Sequence, residues 1–336
     1  MTCRSSRQGD AQRGAALIIA MLVFALATTM VVAMTSEFTL FLKRGSNSFI
    51  ASQANAYLRG GEQLAGLALL EDAEADTQNN LNRDDLSELW AQQVAPYALD
   101  EGGWLSGNLQ DLQGMFNINS VPGKPPEGKR FTIAQEQFIR LLQTPEEPRV
   151  SEQDAILITE ALLDWLDQDT QPRDFGAEDD FYFDAEPSYR AGNGLMHSVS
   201  ELRMVAYVTP ELFAAIAPFL TVWNEPGKIN IHTAPAPVLR TLNSTGDLQP
   251  LTEGEVESLL ELREEEGFEN IQALLESQVF SEREISADIA GSLTESSGWF
   301  LYSGQVEVAD RVARLYSVLR RDGGKVTARL RASGSL

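Results

Sequence analysis

Hydrophobic and polar positions divide the chain into three regimes. Residues 15–36 are uncharged throughout, and Leu17, Ile18, Ile19, Met21, Leu22, Val23, Phe24, Leu26, Val31 and Val32 make the run strongly apolar. A helix needs roughly 20 such residues to cross a bilayer, and this run supplies them. Residues 37–73 keep a helical period. Ile50, Ala54, Tyr57, Leu58, Leu64, Ala65 and Ala68 fall near the i, i+4, i+7 spacing of one apolar face. The pattern predicts a single long helix, apolar at its start and amphipathic later, with kinks or weak points at Gly45, Gly60 and Gly61. A polar acidic tract over 71–88 follows, with a short helix expected over 84–92.

The period then changes to two. Residues 104–112 alternate as a strand, 115–119 continue it, and Pro122-Gly123-Lys124-Pro125-Pro126 breaks it. From 131 to 281 the signal is mainly helical, with segments at 134–142, 151–166, 200–205, 210–217, 236–242, 253–265 and 271–275. The last of these gives way to alternation at 305–308 and 313–321. There Asp322-Gly323-Gly324 turns the chain into 325–331, predicting an antiparallel meander. The order long helix, strands, helical block, strands predicts an α+β fold whose sheet is interrupted by an inserted all-α domain. Phe116-Asn117-Ile118-Asn119-Ser120 echoes Ile229-Asn230-Ile231-His232-Thr233 at the two edges of the block, and two copies are too few for a repeat architecture. Thr233 is expected to cap a helix over 236–242, with Pro235 inside its first turn.

Charge and composition narrow the function. A net charge of −23 and a pI near 4.4 exclude nonspecific binding to nucleic acid. The one cysteine, Cys3, precedes the apolar run, so no disulfide framework or thiolate metal site is available behind it. With only His197 and His232, far apart in sequence, neither a His-based zinc site nor a Ser-His-Asp triad is expected. Arg4, Arg7 and Arg13 against Asp10 place the leader on the cytoplasmic side by the positive-inside rule, and the rest of the chain across the membrane. The run is too long for a signal-peptide h-region, and Val32-Ala33-Met34 is a poor cleavage site. Two alternatives stay open: a plain signal anchor, or a prepilin leader cut between Gly14 and Ala15. Pilin-like subunits generally carry Glu at the fifth position after the cut, where it neutralises a neighbour's terminal amine. Here that residue is Ile19, which suits a terminal place in an assembly better than a repeating one.

Nine carboxylates and a single basic residue, Arg173, occupy 164–186, interleaved with Trp165, Leu166, Phe175, Phe181, Tyr182 and Phe183. The aromatic residues argue against a disordered acidic tail. An oxygen-rich cluster without His or Cys calls for a hard cation, calcium before magnesium. Asp167, Asp169 and Glu178 stand in the register of EF-hand positions 1, 3 and 12, but Pro172 occupies the place of the required glycine, so the loop is not an EF-hand. Asn193 and Glu201 lie downstream with side-chain oxygens that could complete the site. The bland alternative is a solvated acidic loop. A rival from another class is a membrane-anchored periplasmic hydrolase with a catalytic metal, which should display a nucleophile or a His-containing site that the sequence lacks.

Taken in order, several motifs resemble one family over essentially the whole chain. They are Arg13-Gly14 before an apolar helix without Glu, Asp111-Leu112-Gln113-Gly114-Met115-Phe116-Asn117-Ile118-Asn119, Asp164-Trp165-Leu166-Asp167 with Gly176-Ala177-Glu178-Asp179-Asp180, Ser200-Glu201-Leu202-Arg203, and Ile229-Asn230-Ile231-His232-Thr233-Ala234. Together they resemble the minor pseudopilin K family of bacterial type II secretion systems. The resemblance implies a non-enzymatic subunit, cut and N-methylated by the prepilin peptidase at Gly14/Ala15. It implies a single pass through the inner membrane and a C-terminal domain in the periplasm. There it would cap the pseudopilus tip with minor pseudopilins I and J, and promote assembly with other pseudopilins on the inner-membrane secretion platform. The implied organisation is a leader over 1–14, a spanning helix over 15–36, stem and first strands over 37–121, an inserted α-domain over 122–290 and closing strands over 291–336. The family's inserted domain binds calcium. Carried over by motif, the resemblance implies Asp167, Asp169, Glu178, Asp179 and Asp180 as the ligands, with Asp164, Asn193 and Glu201 as further candidates. His232 stands where the family pattern leads one to expect Asn.

Overall fold

A computed structural model describes residues 10–79, 81–100, 102–225, 227–265, 267–281, 283 and 287–334. Residues 1–9 of the expected leader lie outside them. The first element, α1 (Asp10–Asn79), is one unbroken helix of 70 residues. At about 1.5 Å per residue it is on the order of 100 Å long. Every residue from 15 to 49 is exposed, and this stretch contains the segment long and apolar enough to cross a membrane. Beyond it Ala54, Leu58, Glu62 and Leu69 turn inward, as the amphipathic period predicts. The expected kinks do not interrupt the helix. Gly45 and Gly60 face open space, whereas a Cβ on Gly61 would collide with the Tyr302 hydroxyl, so Gly61 is there for close packing.

After α1 come β1 (Tyr97–Ala98), β2 (Trp104–Asp111), β3 (Phe116–Asn117), α2 (Ile133–Leu142), α3 (Glu152–Leu166), α4 (Asp179–Phe183), α5 (Pro210–Ile216), β4 (Leu220–Thr221), β5 (Ile229–Asn230), α6 (Ala236–Leu239), α7 (Glu253–Glu265), α8 (Ile271–Leu275), α9 (Ala287–Gly291), β6 (Leu293–Thr294), β7 (Trp299–Val308), β8 (Arg311–Asp322) and β9 (Lys325–Ser333). Caps set the helix starts. Thr132 and Gln135 form a reciprocal capping box on α2, Ser151 accepts from the Asp154 amide on α3, and Thr209 caps α5 ahead of Pro210.

The main sheet is antiparallel with strand order β1-β2-β7-β8-β9. It packs against α1 around Leu58, Leu69, Trp90, Phe300, Tyr302, Val306 and Leu319. Strand β8 runs alongside the helix in the same direction. Arg311 donates to Asn47 (2.7 Å) at the end nearer the apolar stretch, Ser317 and Arg331 reach Glu62 midway, and Arg321 donates to the Leu69 carbonyl (3.1 Å) at the far end. The α+β expectation therefore holds, and all of α2–α9 lies between β2 and β7, two neighbouring strands. Their ends meet at the Asp111–Phe300 pair, so the helical block leaves and re-enters the sheet at one place. The block has its own core around Phe116, Phe138, Leu162, Trp165, Tyr182, Ile231 and Leu274.

Three local expectations are corrected. The helix expected over 84–92 is only a 3-10 turn at Leu89–Ala91. There Asp84 and Glu88 spend their side chains on Arg321 and on the Trp90 indole instead. Thr233 does not cap a helix; α6 is only four residues long with Pro235 at its cap, and the Thr233 hydroxyl donates to Asp111 (2.5 Å). The strand expected over 115–119 is two residues of a separate sheet.

The echo between the two Asn motifs has a common geometry. Asn117 and Asn230 each end a two-residue strand in a parallel pair, β3 with β4 and β5 with β6. Each side-chain oxygen accepts from the amide two residues on, at 3.1 and 3.0 Å. Their amide nitrogens then differ in task. That of Asn117 bonds the Trp223 and Glu225 carbonyls, while that of Asn230 bonds the Asp84 carbonyl, Asp111 Oδ2 and Ser297 Oγ, all within 3.0 Å.

Asn230 is fully buried, and its three donor contacts reach the loop after α1, the end of β2 and the segment before β7. Truncating it leaves several buried polar groups unpaired, each costing about 1–3 kcal/mol. Asn230→Ala is expected to lower stability by about 2–4 kcal/mol, read as a fall in the urea midpoint. A midpoint unchanged from wild type would remove this residue from the framework.

Candidate metal centre

The acidic loop begins where α3 ends. The Asp167 amide closes the last turn on the Leu163 carbonyl (3.0 Å), and the chain then leaves the helix in extended conformation. Asp169 accepts from the Gln171 amide (2.9 Å), a local turn that carries the chain towards Arg173. Gly176 must be glycine because a Cβ there would overlap the Asp164 carboxylate. Glu178 ends the loop as the N-cap residue of α4, but its side chain makes no capping bond.

Asp167, Asp169 and Glu178 each offer a carboxylate oxygen, and these oxygens lie within 4.8 Å of one another. Oδ1 of Asp167, both oxygens of Glu178 and Oδ1 of Asn193 are buried and have no hydrogen-bond partner among the described residues. Buried carboxylate and amide oxygens are ordinarily paired, and leaving several unpaired in one loop is costly. Hard oxygen donors without nitrogen or sulfur suit calcium. Asn193 sits at φ 45°, in the left-handed region, on a segment tied to the loop. The Ala191 amide donates to Asp179 (3.0 Å), and the Gly194 amide donates to the Trp165 carbonyl (3.4 Å).

The remaining sequence candidates have other engagements. Asp164 is fully buried, and its oxygens accept from the backbone amide (3.1 Å) and the guanidinium of Arg173. Arg173 also donates to Asp167 Oδ2 (2.7 Å), so it is an internal cation beside the cluster. Asp179 holds the 191–194 segment through Ala191. Asp180 is exposed and stands outside the cluster. Glu201 caps the 3-10 turn Val199–Met204, accepting from the His197 (2.7 Å) and Ser198 (2.9 Å) amides. Gly14 and Ala15 both fall within α1.

A second carboxylate group has no counterpart among the sequence motifs. Asp72, Asp84 and Glu88 come within the same 4.8 Å spread at the far end of α1. Their oxygens are engaged by protein: Arg321 pairs with Asp72 (3.3 Å) and bonds both oxygens of Asp84 (2.5 Å), and the Trp90 indole donates to Glu88 (2.5 Å). Burial pushes the Glu88 carboxyl up to about 8 and that of Asp72 up to about 6. Its residues are spread from 72 to 321, so no local pattern announces it.

A long N-terminal helix laid on an antiparallel sheet, with residues 15–36 bare and apolar, defines a pilin-like subunit, here enlarged by a helical insertion. Two family profiles, both described as type II secretion system (T2SS), protein K, match residues 114–225 and 229–295. Type II secretion system protein K of Pseudomonas aeruginosa is 31% identical over 330 residues, covering 96% of this chain and 93% of the relative. That of Pectobacterium carotovorum subsp. carotovorum is 30% identical, covering 94% of each. Among solved structures, the GspK-GspI-GspJ complex from the enterotoxigenic Escherichia coli type 2 secretion system contains a chain matching with a TM-score of 0.73. That match has 22% identity and covers 87% of this chain and 100% of the other. The chain belongs to the type II secretion system protein K family. The hydrolase alternative gains no support from these relatives.

Glu178 sets the pH response of the centre. Burial, followed by the charges of Asp164, Asp167, Asp169 and Asp179, raises its carboxyl from 4.5 to about 7. In the metal-free fold, the stability this group contributes is full below about 4.5 and lost as pH rises through about 7. A dication reverses the sign by favouring the ionised form, so protons compete with it. Calcium affinity, measured by calorimetry, is expected to fall by about tenfold or more between pH 8 and pH 5.5. Glu178→Gln should both weaken binding and flatten that dependence. Equal affinity at the two pH values would exclude Glu178 as a ligand.

Proposed function

We propose that this chain is a minor pseudopilin that caps the tip of the periplasmic pseudopilus and promotes its assembly for protein export. It is a structural subunit, anchored in the inner membrane by the apolar part of α1, with the remainder in the periplasm. The observation that carries this role is the position of the helical block. The block joins the sheet beside Asp111 and Trp299, at the end of the stem farthest from the membrane segment. A body of that size at the outer end fits a single terminal subunit and crowds any copy stacked above it. Ile19, in place of the usual Glu, points the same way, since a subunit without it has no counter-charge for a buried neighbouring amine.

The partners that fit this role are minor pseudopilins I and J, because the solved relative is a complex of the corresponding three chains. The proposed cofactor is calcium at Asp167, Asp169, Glu178 and Asn193. Held there, it offsets part of the loop's negative charge and fixes α4 against the end of α3, a structural rather than catalytic task.

Processing and location test the proposal. N-terminal sequencing of the full-length chain, expressed with and without prepilin peptidase, should give a terminus at Ala15 only when the peptidase is present. An intact leader in both samples returns the chain to the plain-anchor class. Immunogold labelling of assembled pseudopili should mark one end of each fibre, and labelling along their length would overturn the cap.

A further inference from the structure

The two edges of the main sheet are built in opposite ways. Strand β9 carries Lys325, Arg329 and Arg331, and a bulge opposite Val318/Leu319 interrupts its ladder. Charge and bulges are the standard protection of an open edge against pairing with another chain. The other edge has neither. Strand β2 pairs with β7 along its full length, from Trp104–Glu307 to Asp111–Phe300. With β1 it pairs only at Trp104 and Leu105. Beyond Leu105 no strand among the described residues covers its outer side, and the stretch Ser106–Gln110 has no Lys, Arg, Pro or bulge.

That bare edge forms one wall of a trench of about 450 Å³ between β2, α1 and the 89–97 segment. None of the described residues lining it is charged, in a chain with a net charge of −23. Leu64, Leu89, Val94 and Tyr97 around it are each two-thirds or more exposed, an apolar patch of the kind that marks interaction sites. The hydroxyl of Tyr302, one of its lining residues, is buried and has no hydrogen-bond partner among the described residues.

We infer that the open edge of β2 receives an extended, uncharged strand of a partner protein, which adds to the sheet next to β1. Main-chain bonds to Ser106–Gln110 give the affinity, and alternate apolar side chains of the incoming strand fill the trench. A charged strand is disfavoured because the described lining offers no counter-ion. The inference deepens the proposed role by assigning the face through which this subunit takes a partner.

The test uses the full chain in lipid nanodiscs and a fluorescently labelled, end-capped Thr-Val-Thr-Val-Thr-Val peptide, followed by anisotropy. Saturable binding is expected, weakened at least tenfold by N-methylating alternate residues on one side of the peptide. Val94→Glu should weaken it as strongly, whereas Phe175→Glu, on the acidic loop, should leave it unchanged. Circular dichroism and thermal midpoints confirm that both variants stay folded. Absence of binding, or equal binding of the N-methylated peptide, overturns strand addition. Equal loss in both variants, or preference for a helical peptide, overturns the assignment of the edge. Self-association of the chain that Val94→Glu abolishes would make a second copy the occupant, against the inference. Leader cleavage and fibre location do not depend on this edge, so failure here leaves the cap role to be judged by its own tests.

Discussion

The architecture depends on a buried polar junction centred on Asp111. This carboxylate ends β2, is buried, and accepts at Oδ2 from Asn230 (3.0 Å), Thr233 (2.5 Å) and Ser297 (2.6 Å). Asp84 extends the junction by accepting from the Ser297 amide (2.6 Å) and holding Arg321 of β8. Burial raises the Asp111 carboxyl to about 6 even against its hydroxyl and amide donors. Charge in such a place is tolerated only with nearly every lone pair engaged. Apolar packing alone holds two bodies together without fixing their angle, whereas this set of bonds is satisfied in one orientation only. Since the helical block leaves and returns through adjacent strands, its linkage would otherwise act as a hinge. The junction removes that freedom and lets the stem carry the block as a rigid end-piece.

The periodic elements were legible because their signal is local. The stem, the meander β7–β9 and helices such as α3 and α7 follow directly from spacing and caps. The junction was only half legible. Asp111 and Asn230 stood out within motifs, but the bond joining them spans 119 residues, and a helix-cap role for Thr233 looked reasonable until Asp111 arrived from elsewhere. The 84–92 segment failed for the same reason. Its helical propensity is modest, and the side chains that would stabilise a solvated helix are recruited by Arg321 and Trp90. Tertiary contacts of this kind override local preference.

The candidate metal centre divides along similar lines. Clustering of carboxylates with aromatic residues marked the loop as a candidate, because Trp165 and Tyr182 are buried and hold the stretch against the fold, while Phe175, Phe181 and Phe183 stay exposed, and crowded carboxylates are a setting that suits a cation. Which carboxylates face inward depends on partners no spacing rule reveals. Arg173 takes Asp164 and touches Asp167, Glu201 serves as a cap, and α4 turns Asp180 outward. Asn193 is informative here, since its buried oxygen, without a partner among the described residues, sits fifteen residues beyond Glu178 on a segment tied back to the loop through Asp179 and Trp165.

Charge adds a reason for a single copy that is independent of shape. Residues 122–290 carry twelve Lys and Arg against thirty-two Asp and Glu, while 291–336 carry seven against four. The acidic excess therefore lies at the far end of the stem, and the basic excess lies on the closing strands along it. A filament made only of this chain would bring strongly acidic blocks close together, with repulsion that ionic screening reduces but does not cancel at contact distances. At a tip the same block faces solvent on its outer side, where its charge opposes the addition of another copy. Shape, the missing Glu and the charge gradient each disfavour repetition through different physics, and the one position that relieves all three is the end of the fibre.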